Sequence, residues 1–327
     1  MKKIWILLVS FWVIYHASEA QKTKKKDKEN PKQTEVVLDL SSKNSVVLEN
    51  SVFWEISGNE LPAPSYLFGT HHLYPADSIK KNDFIKEKIK ECKVVVGELV
   101  MDNLMAHTMA TMKYSIMQDT TLQDLLGEKD YQRVDEYMKK NMGMGVAMFN
   151  RMRPMVLVQT ITSQKAMQAL GKENKISSMD VISNNIDYHF QQYGKSIGKE
   201  IAGLETVEFQ SKVLLHSIPL RRQAEMLLEA IEDKGSQSFE TYKKLNQFYQ
   251  QQNLNELAKL SFSEMKKDEY DNLLKKRNDA WMPQIEKIIR EKSAFFAVGA
   301  LHLVGTDGII YQLRQKGYSV KPLKIRL

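Results

Sequence analysis

Short apolar segments alternate with long amphipathic ones along this chain, and the two patterns predict different elements. Six short runs are rich in β-branched and aromatic residues and are bounded by turn-forming residues, which is typical of strands. These predicted strands cover residues 51–58, 65–70, 93–99, 199–205, 294–300 and 318–323.

The longer segments repeat apolar residues with the 3.6-residue period of an α-helix. Trp281, Ile285 and Ile289, for example, share one helical face, which predicts that this face packs on a core. Such patterns dominate residues 103–196 and 206–292, where few residues break helices. We therefore predict an α/β fold in which a mixed sheet carries a large helical insertion.

The C-terminal segment predicts a strand, a helix and another strand in succession. Thr306 is a suitable N-cap for a helix that runs to Lys316, and Gly317 is a suitable residue to end that helix. The chain then returns as the last predicted strand.

Residues 1–20 have the pattern of a cleaved signal peptide. Lys2 and Lys3 precede an apolar run over residues 4–15, and small residues lead to a cleavage site after Ala20. The run is shorter than the roughly 20 apolar residues that a membrane-spanning helix needs. We therefore predict an exported protein, periplasmic or extracellular, with no transmembrane anchor after signal cleavage.

Composition adds limits on the partners of the chain. Residues 21–45 are lysine-rich and lack an early apolar period, which predicts a flexible linker before one domain over residues 46–327. The formal net charge is +7, but no basic stripe is interleaved with aromatic residues, so nucleic acid is not an expected partner. The single cysteine, Cys92, lies in an apolar helical row, which predicts a buried thiol.

Polar side chains follow four of the predicted strands at their carboxyl ends. His71 and His72 follow the second strand, Glu98 and Glu205 end the third and fourth, and His302 follows the fifth. If these strands are parallel neighbours, their ends converge on one edge of the sheet, where open α/β folds bind ligands. Imidazole and carboxylate groups together suit a divalent metal ion.

Two G-x-x-H motifs stand near the two ends of the predicted domain. The first, in "YLFGTHH", ends at His72, and the second, in "FFAVGALHLVGTDGII", ends at His302. With "VVVGEL", "EIAGLETVEFQ", "KKRNDAW" and "GTDGIIYQLRQKGYSVKP", these motifs span most of residues 50–325. In them the chain resembles the TraB/GumN family, relatives of the membrane-anchored Tiki proteases and, more distantly, of proteins with the erythromycin-esterase-like fold.

The resemblance implies a metal-dependent hydrolase. Peptide-bond cleavage is the activity of the Tiki relatives, so a peptide or protein is the expected substrate. By motif position, His72 and His302 would be the histidine ligands of a divalent Mn, Co or Zn ion. Glu98 would be the matching acidic ligand, and Glu205 a fourth.

The chemistry of these residue types suggests a catalytic scheme. A divalent ion lowers the pKa of bound water towards about 7 and polarises a carbonyl. A glutamate that is not fully committed to the ion would take the proton from that water; Glu98 is favoured and Glu205 is the alternative. The resemblance places Arg277 and Asn278 at the site, where Arg277 would stabilise an oxyanion or bind a substrate carboxylate.

Other interpretations of the same residues stay open. Glu98 and Glu205 also suit a structural ion network with Arg277, and His302 suits a role in orienting the turn after its strand. The chain could also bind and sequester a peptide, a signalling molecule or a metal-bearing ligand without turnover, because family resemblance fixes a site more securely than a reaction.

The remaining histidines are predicted to have no ligand role. Adjacent side chains in extended chain point to opposite sides, so His71 is expected behind the ligands or at the rim of the site rather than on the ion that His72 binds. His107, His189 and His216 lie in helical segments without a partner at ligand spacing, which favours structural or surface positions.

Methionine is concentrated in one region, with thirteen of the seventeen between Met101 and Met179. Met101, Met105, Met109 and Met112 recur on one helical face, which predicts an adaptable part of the core. A pliable wall over the active site is a second interpretation, and soft-metal binding by thioethers is a third.

Overall fold

The structure of the protein, a computed structural model, describes residues 47–327 apart from residues 73, 75–76, 103, 175–184, 233–235 and 264. The predicted signal peptide and the whole of the predicted linker lie outside the described residues. Within the described ranges, no helix combines the length and the apolar character needed to cross a membrane.

The predicted strands form one mixed sheet, which confirms the predicted α/β class. Its strand order is β4-β3-β5-β2-β1-β6. The four strands β4, β3, β5 and β2 are parallel neighbours, and β1 pairs antiparallel with both β2 and β6. The strands are β1 (Phe53–Ser57), β2 (Ser65–Thr70), β3 (Val94–Gly97), β4 (Glu200–Gly203), β5 (Ala294–Gly299) and β6 (Ser319–Pro322).

The centre of the sheet is buried on both faces, as its continuous apolar strands require. All six residues of β2 are buried, and aromatic rings from neighbouring elements meet there. The ring of Phe295 on β5 lies 5.0 Å from that of Phe190 and 6.3 Å from that of Phe68 on β2. This packing fixes the strands whose ends carry the candidate site.

Helices fill the regions between the strands. The helices before β4 are α1 (Asp77–Lys80), α2 (Asp83–Glu91), α3 (Leu104–Ser115), α4 (Leu122–Met142), α5 (Pro154–Asn174) and α6 (Ile186–Ser196). Those after β4 are α7 (Val207–His216), α8 (Leu220–Glu232), α9 (Ser236–Gln250), α10 (Leu254–Phe262), α11 (Lys267–Tyr270), α12 (Lys276–Glu291) and α13 (Ile309–Gln315).

Shorter turns complete the architecture near the site. A π-helical turn, Asp271–Lys275, joins α11 to α12, and a 3-10 turn, Ala300–Leu303, follows β5 directly. A further 3-10 turn covers Val146–Phe149.

Side-chain caps fix where two of the site-bearing helices begin. Thr206 accepts a hydrogen bond from the backbone N–H of Phe209 and starts α7 immediately after Glu205. Asn185 caps α6 in the same way, and α6 then packs against β3, β4 and β5. Both caps therefore set the register of helices that reach the carboxyl edge of the sheet.

Two predictions about local structure are wrong. The last helix begins at Ile309 with Gly308 as its N-cap, rather than at Thr306. The 3-10 turn after β5 delays the helix, and a side chain at position 308 would lie within 2.5 Å of the carbonyl oxygens of Leu303 and Val304. Only a glycine therefore fits at the point where the helix starts.

The methionine face of α3 is also not part of the core. Met105 and Met109 are each 68% exposed and Met112 is 47% exposed. Helix α3 packs on α7 through its other face, where the buried hydroxyl groups of Thr111 and Ser211 are 2.9 Å apart. Cys92 is fully buried, as predicted.

Gly97, at the end of β3, should not tolerate a side chain. A methyl group there would collide with the side chain of Gln191 and come within 2.9 Å of the carbonyl oxygen of Leu99. Gln191 accepts from the backbone N–H of Met101 and donates to the Leu99 carbonyl, so it fixes the turn after β3.

We expect Gly97→Ala to lower the free energy of unfolding by about 1–3 kcal/mol, because it overpacks this turn. Urea denaturation would measure the loss. Lys93→Ala, at an exposed position just before β3, is the control and should change the stability by less than about 0.5 kcal/mol. Equal stabilities for the two variants would contradict the tight packing at Gly97.

Candidate functional site

The predicted polar residues come together at the carboxyl edge of the sheet. Across the parallel strands, Glu205 follows β4, Glu98 follows β3, His302 lies in the turn after β5, and His72 follows β2. This is the convergence that the strand pattern predicted, and it occurs because these strands are parallel neighbours.

Arg277 on α12 is the centre of this group. Its side chain is 2% exposed, and its Nη2 donates to Glu98 Oε2 and to Glu205 Oε1, each at 2.6 Å. Nε donates to Glu205 Oε2 at 3.1 Å, while Nη1 donates to the Leu273 carbonyl at 3.1 Å and lies 3.0 Å from His302 Nε2. All five N–H groups of the guanidinium therefore have a partner inside the protein.

The π-helical turn before α12 explains one of these contacts. Its hydrogen bonds run five residues along the chain, as from the Lys276 N–H to the Asp271 carbonyl, instead of four as in an α-helix. The Leu273 carbonyl, which would accept from the backbone N–H of residue 277 in an α-helix, instead faces the side chain of Arg277. Such widened turns are frequent at functional sites.

Asn278 fixes the orientation of His302. The amide nitrogen of Asn278 donates to the carbonyls of His302 and Asp307, so its Oδ1, 2.6 Å from His302 Nδ1, is the acceptor. Nδ1 of His302 therefore carries the proton, and Nε2 accepts from Arg277. Burial and the charge of Arg277 lower the pKa of His302 to about 3, which keeps this ring neutral.

Asp187 holds His72 in a comparable way. Asp187 Oδ2 forms a close ion-pair contact of 2.6 Å with His72 Nδ1, and Asp187 Oδ1 accepts from the hydroxyl of Thr70 at 2.8 Å. Burial alone would lower the pKa of His72, but the charges of Asp187 and Glu98 outweigh it and raise that pKa. Nε2 of His72 is buried and has no hydrogen-bond partner among the described residues.

The two glutamates differ in their surroundings. Burial favours the neutral form of Glu98, but Arg277, the two histidines and the backbone N–H of Gly299, which donates at 2.8 Å, lower its pKa to about 2. Burial, aided by the charge of Glu98, raises the pKa of Glu205 although Arg277 opposes the shift.

Gln210 and Trp281 complete this buried network, and their roles were not predicted from the sequence. Gln210 donates to Glu98 Oε2 at 3.1 Å and to Glu205 Oε1 at 2.9 Å. Trp281 Nε1 donates to Glu205 Oε2 at 3.2 Å, and its ring lies 4.8 Å from the Arg277 guanidinium. The sequence signal for Gln210 was its place in "GLETVEFQ", on the first turns of the helix after Glu205.

The remaining predicted residues occupy different positions. His71 lines the same cavity as His72 and packs edge-on against Tyr249, with ring centres 5.4 Å apart. Burial lowers the pKa of His71 to about 3. His107, His189 and His216 do not line this cavity, and the exposed His216 contacts the carbonyl of Tyr114 and the side chain of Arg153.

A cavity opens in front of this network, with about 740 Å³ of empty space that includes its mouth. Thr70, His72, Glu98, Arg277 and His302 are among its polar lining residues, whereas Glu205 lies behind Arg277 and outside the lining. Leucine side chains make up much of the remaining wall. Part of this space is open solvent at the mouth, so the mouth is the side from which a small ligand or a short stretch of a larger one would enter.

The donors at this edge fit a divalent ion in their chemistry. His302 Nε2 and Glu98 Oε1 are 3.8 Å apart, although the first accepts from Arg277 and the second from the Gly299 N–H. The free Nε2 of His72 adds a third donor atom to the cavity lining. No three His, Cys, Asp or Glu side chains in the described part of the chain, however, already surround one ion position.

The chain belongs to the TraB/PrgY/gumN family, whose family description matches residues 52–322. The match covers both G-x-x-H motifs and every strand of the sheet. No curated protein and no solved structure matches the chain.

The Arg277 network predicts a large and specific loss of stability. Arg277→Met should lower the free energy of unfolding by about 3–5 kcal/mol, because it leaves two buried carboxylates without their partner. The triple variant Arg277→Met, Glu98→Gln, Glu205→Gln should recover much of that loss, because no charge then remains unpaired. Denaturant unfolding of the two variants would measure both effects, and a triple variant less stable than the single one would contradict the account.

Helix α6, which carries Asp187 and Gln191, should lose stability in acid through His189. Burial, with the charges of Lys80 and Lys86, lowers the pKa of His189 to about 4. Between pH 6.5 and 4 the unfolded chain therefore binds a proton that the folded chain does not bind, so the stability falls as the pH falls.

His189→Gln should flatten this part of the curve of unfolding free energy against pH. Lys212→Gln, at an exposed position on α7, should leave the slope unchanged. An equal slope in the His189 variant and in the parent protein would show that His189 already binds its proton in the fold.

Proposed function

We propose that this chain is an exported, metal-dependent hydrolase that cleaves peptides or proteins. His72, His302 and Glu98 would hold a divalent ion, such as Mn, Co or Zn, at the carboxyl edge of the sheet. Export rests on the predicted signal peptide over residues 1–20. Peptide cleavage rests on the resemblance to the Tiki proteases.

The common orientation of the two histidines carries this proposal. Asp187 contacts Nδ1 of His72, and Asn278 accepts from Nδ1 of His302. Nε2 of His72 is therefore left without a partner, whereas Nε2 of His302 accepts from Arg277 and would have to exchange that bond for the ion. Both rings line the same cavity as Glu98. Metal-binding histidines are usually held in this way, with the second ring nitrogen bound to a carboxylate or carbonyl oxygen.

The surrounding residues suit hydrolysis. A bound divalent ion would polarise the substrate carbonyl and acidify a neighbouring water molecule. Glu98, held ionised by Arg277 and the Gly299 N–H, would accept the proton of that water and pass it to the leaving amine. His71, whose pKa burial of the ring lowers to about 3, would be neutral and would leave the charge of the site unchanged.

Glu205 and Arg277 fit a positioning role better than a role at the reacting atoms. The oxygens of Glu205 accept from Arg277, Gln210 and Trp281, which leaves little capacity for a metal ion. The guanidinium of Arg277 has no N–H left for a substrate oxyanion or carboxylate in this arrangement. We therefore assign both residues to holding Glu98 and His302 in place.

A binding protein without turnover is the second candidate function. It is favoured by the ion network itself, because Arg277 already compensates the charges of the two glutamates. Such a protein would hold a peptide, a signalling molecule or a metal-bearing ligand in the same cavity.

Measuring metal binding together with peptide cleavage distinguishes the hydrolase from the binding protein. Protein over residues 21–327, stripped with chelator, should bind Mn, Co or Zn in a calorimetric titration. His72→Ala and His302→Ala should each weaken binding at least tenfold, because each removes a donor atom. The same samples, incubated with a peptide library and read by mass spectrometry, should give metal-dependent products that Glu98→Gln abolishes.

His216→Ala is the matched control, because His216 is exposed and lies outside the cavity lining. It should leave both metal affinity and cleavage unchanged. Selective ligand binding without cleavage under any metal would favour the binding protein. Unchanged metal affinity in both site-histidine variants would exclude the proposed ligand set.

A further inference from the structure

The cavity has two chemically distinct halves. Its floor is the polar edge of the sheet, with His72, Glu98 and His302. Its wall is apolar and comes from separate parts of the helical region: α7, α9, α10, the segment before α11, and the π-helical turn. The wall residues are Leu214, Leu245, Leu257, Met265, Leu273 and Leu274.

The side chains of this wall belong to the hydrophobic core and are not surface residues. Leu214 is 5% exposed and Leu257 is 4% exposed, and all six side chains belong to the main hydrophobic core. The π-helical turn brings two consecutive leucines, Leu273 and Leu274, to the cavity four and three residues before Arg277. Core packing therefore fixes the side chains of the apolar half, as hydrogen bonds fix those of the polar half that it faces.

The cationic groups of the lining are already paired. Arg277 bonds to Glu98 and Glu205, and His72 contacts Asp187. To pair with a cationic group among the described lining residues, a free carboxylate on a ligand would have to displace one of these partners. An uncharged amide or ester would not meet that competition.

We propose that the cavity selects an aliphatic side chain, of the size of leucine, next to an internal or blocked carbonyl group. The apolar wall takes the side chain, and the polar floor faces the carbonyl. Cleavage of such a substrate rests on the proposed hydrolase function, but its selective binding does not.

The binding of blocked peptides tests this selection. The probes are N-acetylated, C-amidated peptides of the form Gly-Gly-X-Gly-Gly, in which X is Leu, Phe, Ala or Glu, compared by ligand-detected NMR with chelator-treated and with metal-loaded protein. The Leu peptide should bind at least tenfold more tightly than the Ala peptide, because the missing carbons leave the wall unfilled. The Glu peptide should bind more weakly still, because its charge would enter an apolar wall.

Two neighbouring leucines on α7 supply a matched pair of variants. Leu214 lines the cavity, whereas Leu215 is fully buried and does not line it. Leu214→Ala enlarges the cavity. It should raise the affinity for the Phe peptide, relative to that for the Leu peptide, at least threefold. Leu215→Ala also weakens the core but should leave this ratio unchanged. Loss of folded protein lowers both affinities equally, so it does not alter their ratio.

Each outcome decides for or against the selection. Equal binding of the Leu, Ala and Glu peptides, tighter binding of the Glu peptide, or no binding of any peptide at millimolar concentration would overturn it. An equal shift in both leucine variants would also overturn the assignment of the wall. Selective binding without cleavage would remove the hydrolase function while leaving the aliphatic selection in place.

Discussion

The buried guanidinium of Arg277 is the interaction on which the rest of this structure depends. It joins Glu98 after β3, Glu205 after β4 and His302 after β5 to one helix, α12. Taking an arginine and two carboxylates out of water is costly, and the cost is offset only when every donor and acceptor is satisfied. Here the five N–H groups are all satisfied, so the network specifies one arrangement of the strand ends.

The same constraint links the helical region to the site. Arg277 reaches the sheet edge from a helix that begins with a π-helical turn, and the turn supplies both the Leu273 carbonyl for the guanidinium and the leucines of the cavity wall. Gln210, from the helix capped by Thr206, bridges the two glutamates. A substitution in the polar floor is therefore expected to move side chains of the apolar wall. The π-helical turn and Arg277, which follows it closely, contribute side chains to both.

Membership of the TraB/PrgY/gumN family gives this arrangement a context, but the chemistry has to come from the site. The two imidazoles are both held at Nδ1, but Nε2 has no partner only in His72, because Nε2 of His302 accepts from Arg277. The glutamates, by contrast, are largely engaged by Arg277 and its neighbours. One acidic group, the buried Glu98, lines the cavity, rather than the two that the strand pattern suggested.

Much of the fold could be predicted from the sequence, because it depends on local patterns. Apolar periodicity predicts the six strands and the buried Cys92. The position of polar residues after strands predicts that His72, Glu98, Glu205 and His302 converge on one edge. The exposed face of Met105, Met109 and Met112 could not be predicted, since only the packing partner α7 decides which face of α3 is covered. Nor could the pairing of Arg277 with two glutamates, the anchoring of His72 by Asp187 or the place of Gln210, because these contacts join residues far apart in the chain. The sequence by itself determined the elements and the residue types at their ends, whereas only the tertiary structure decided which charges meet, since that depends on long-range packing.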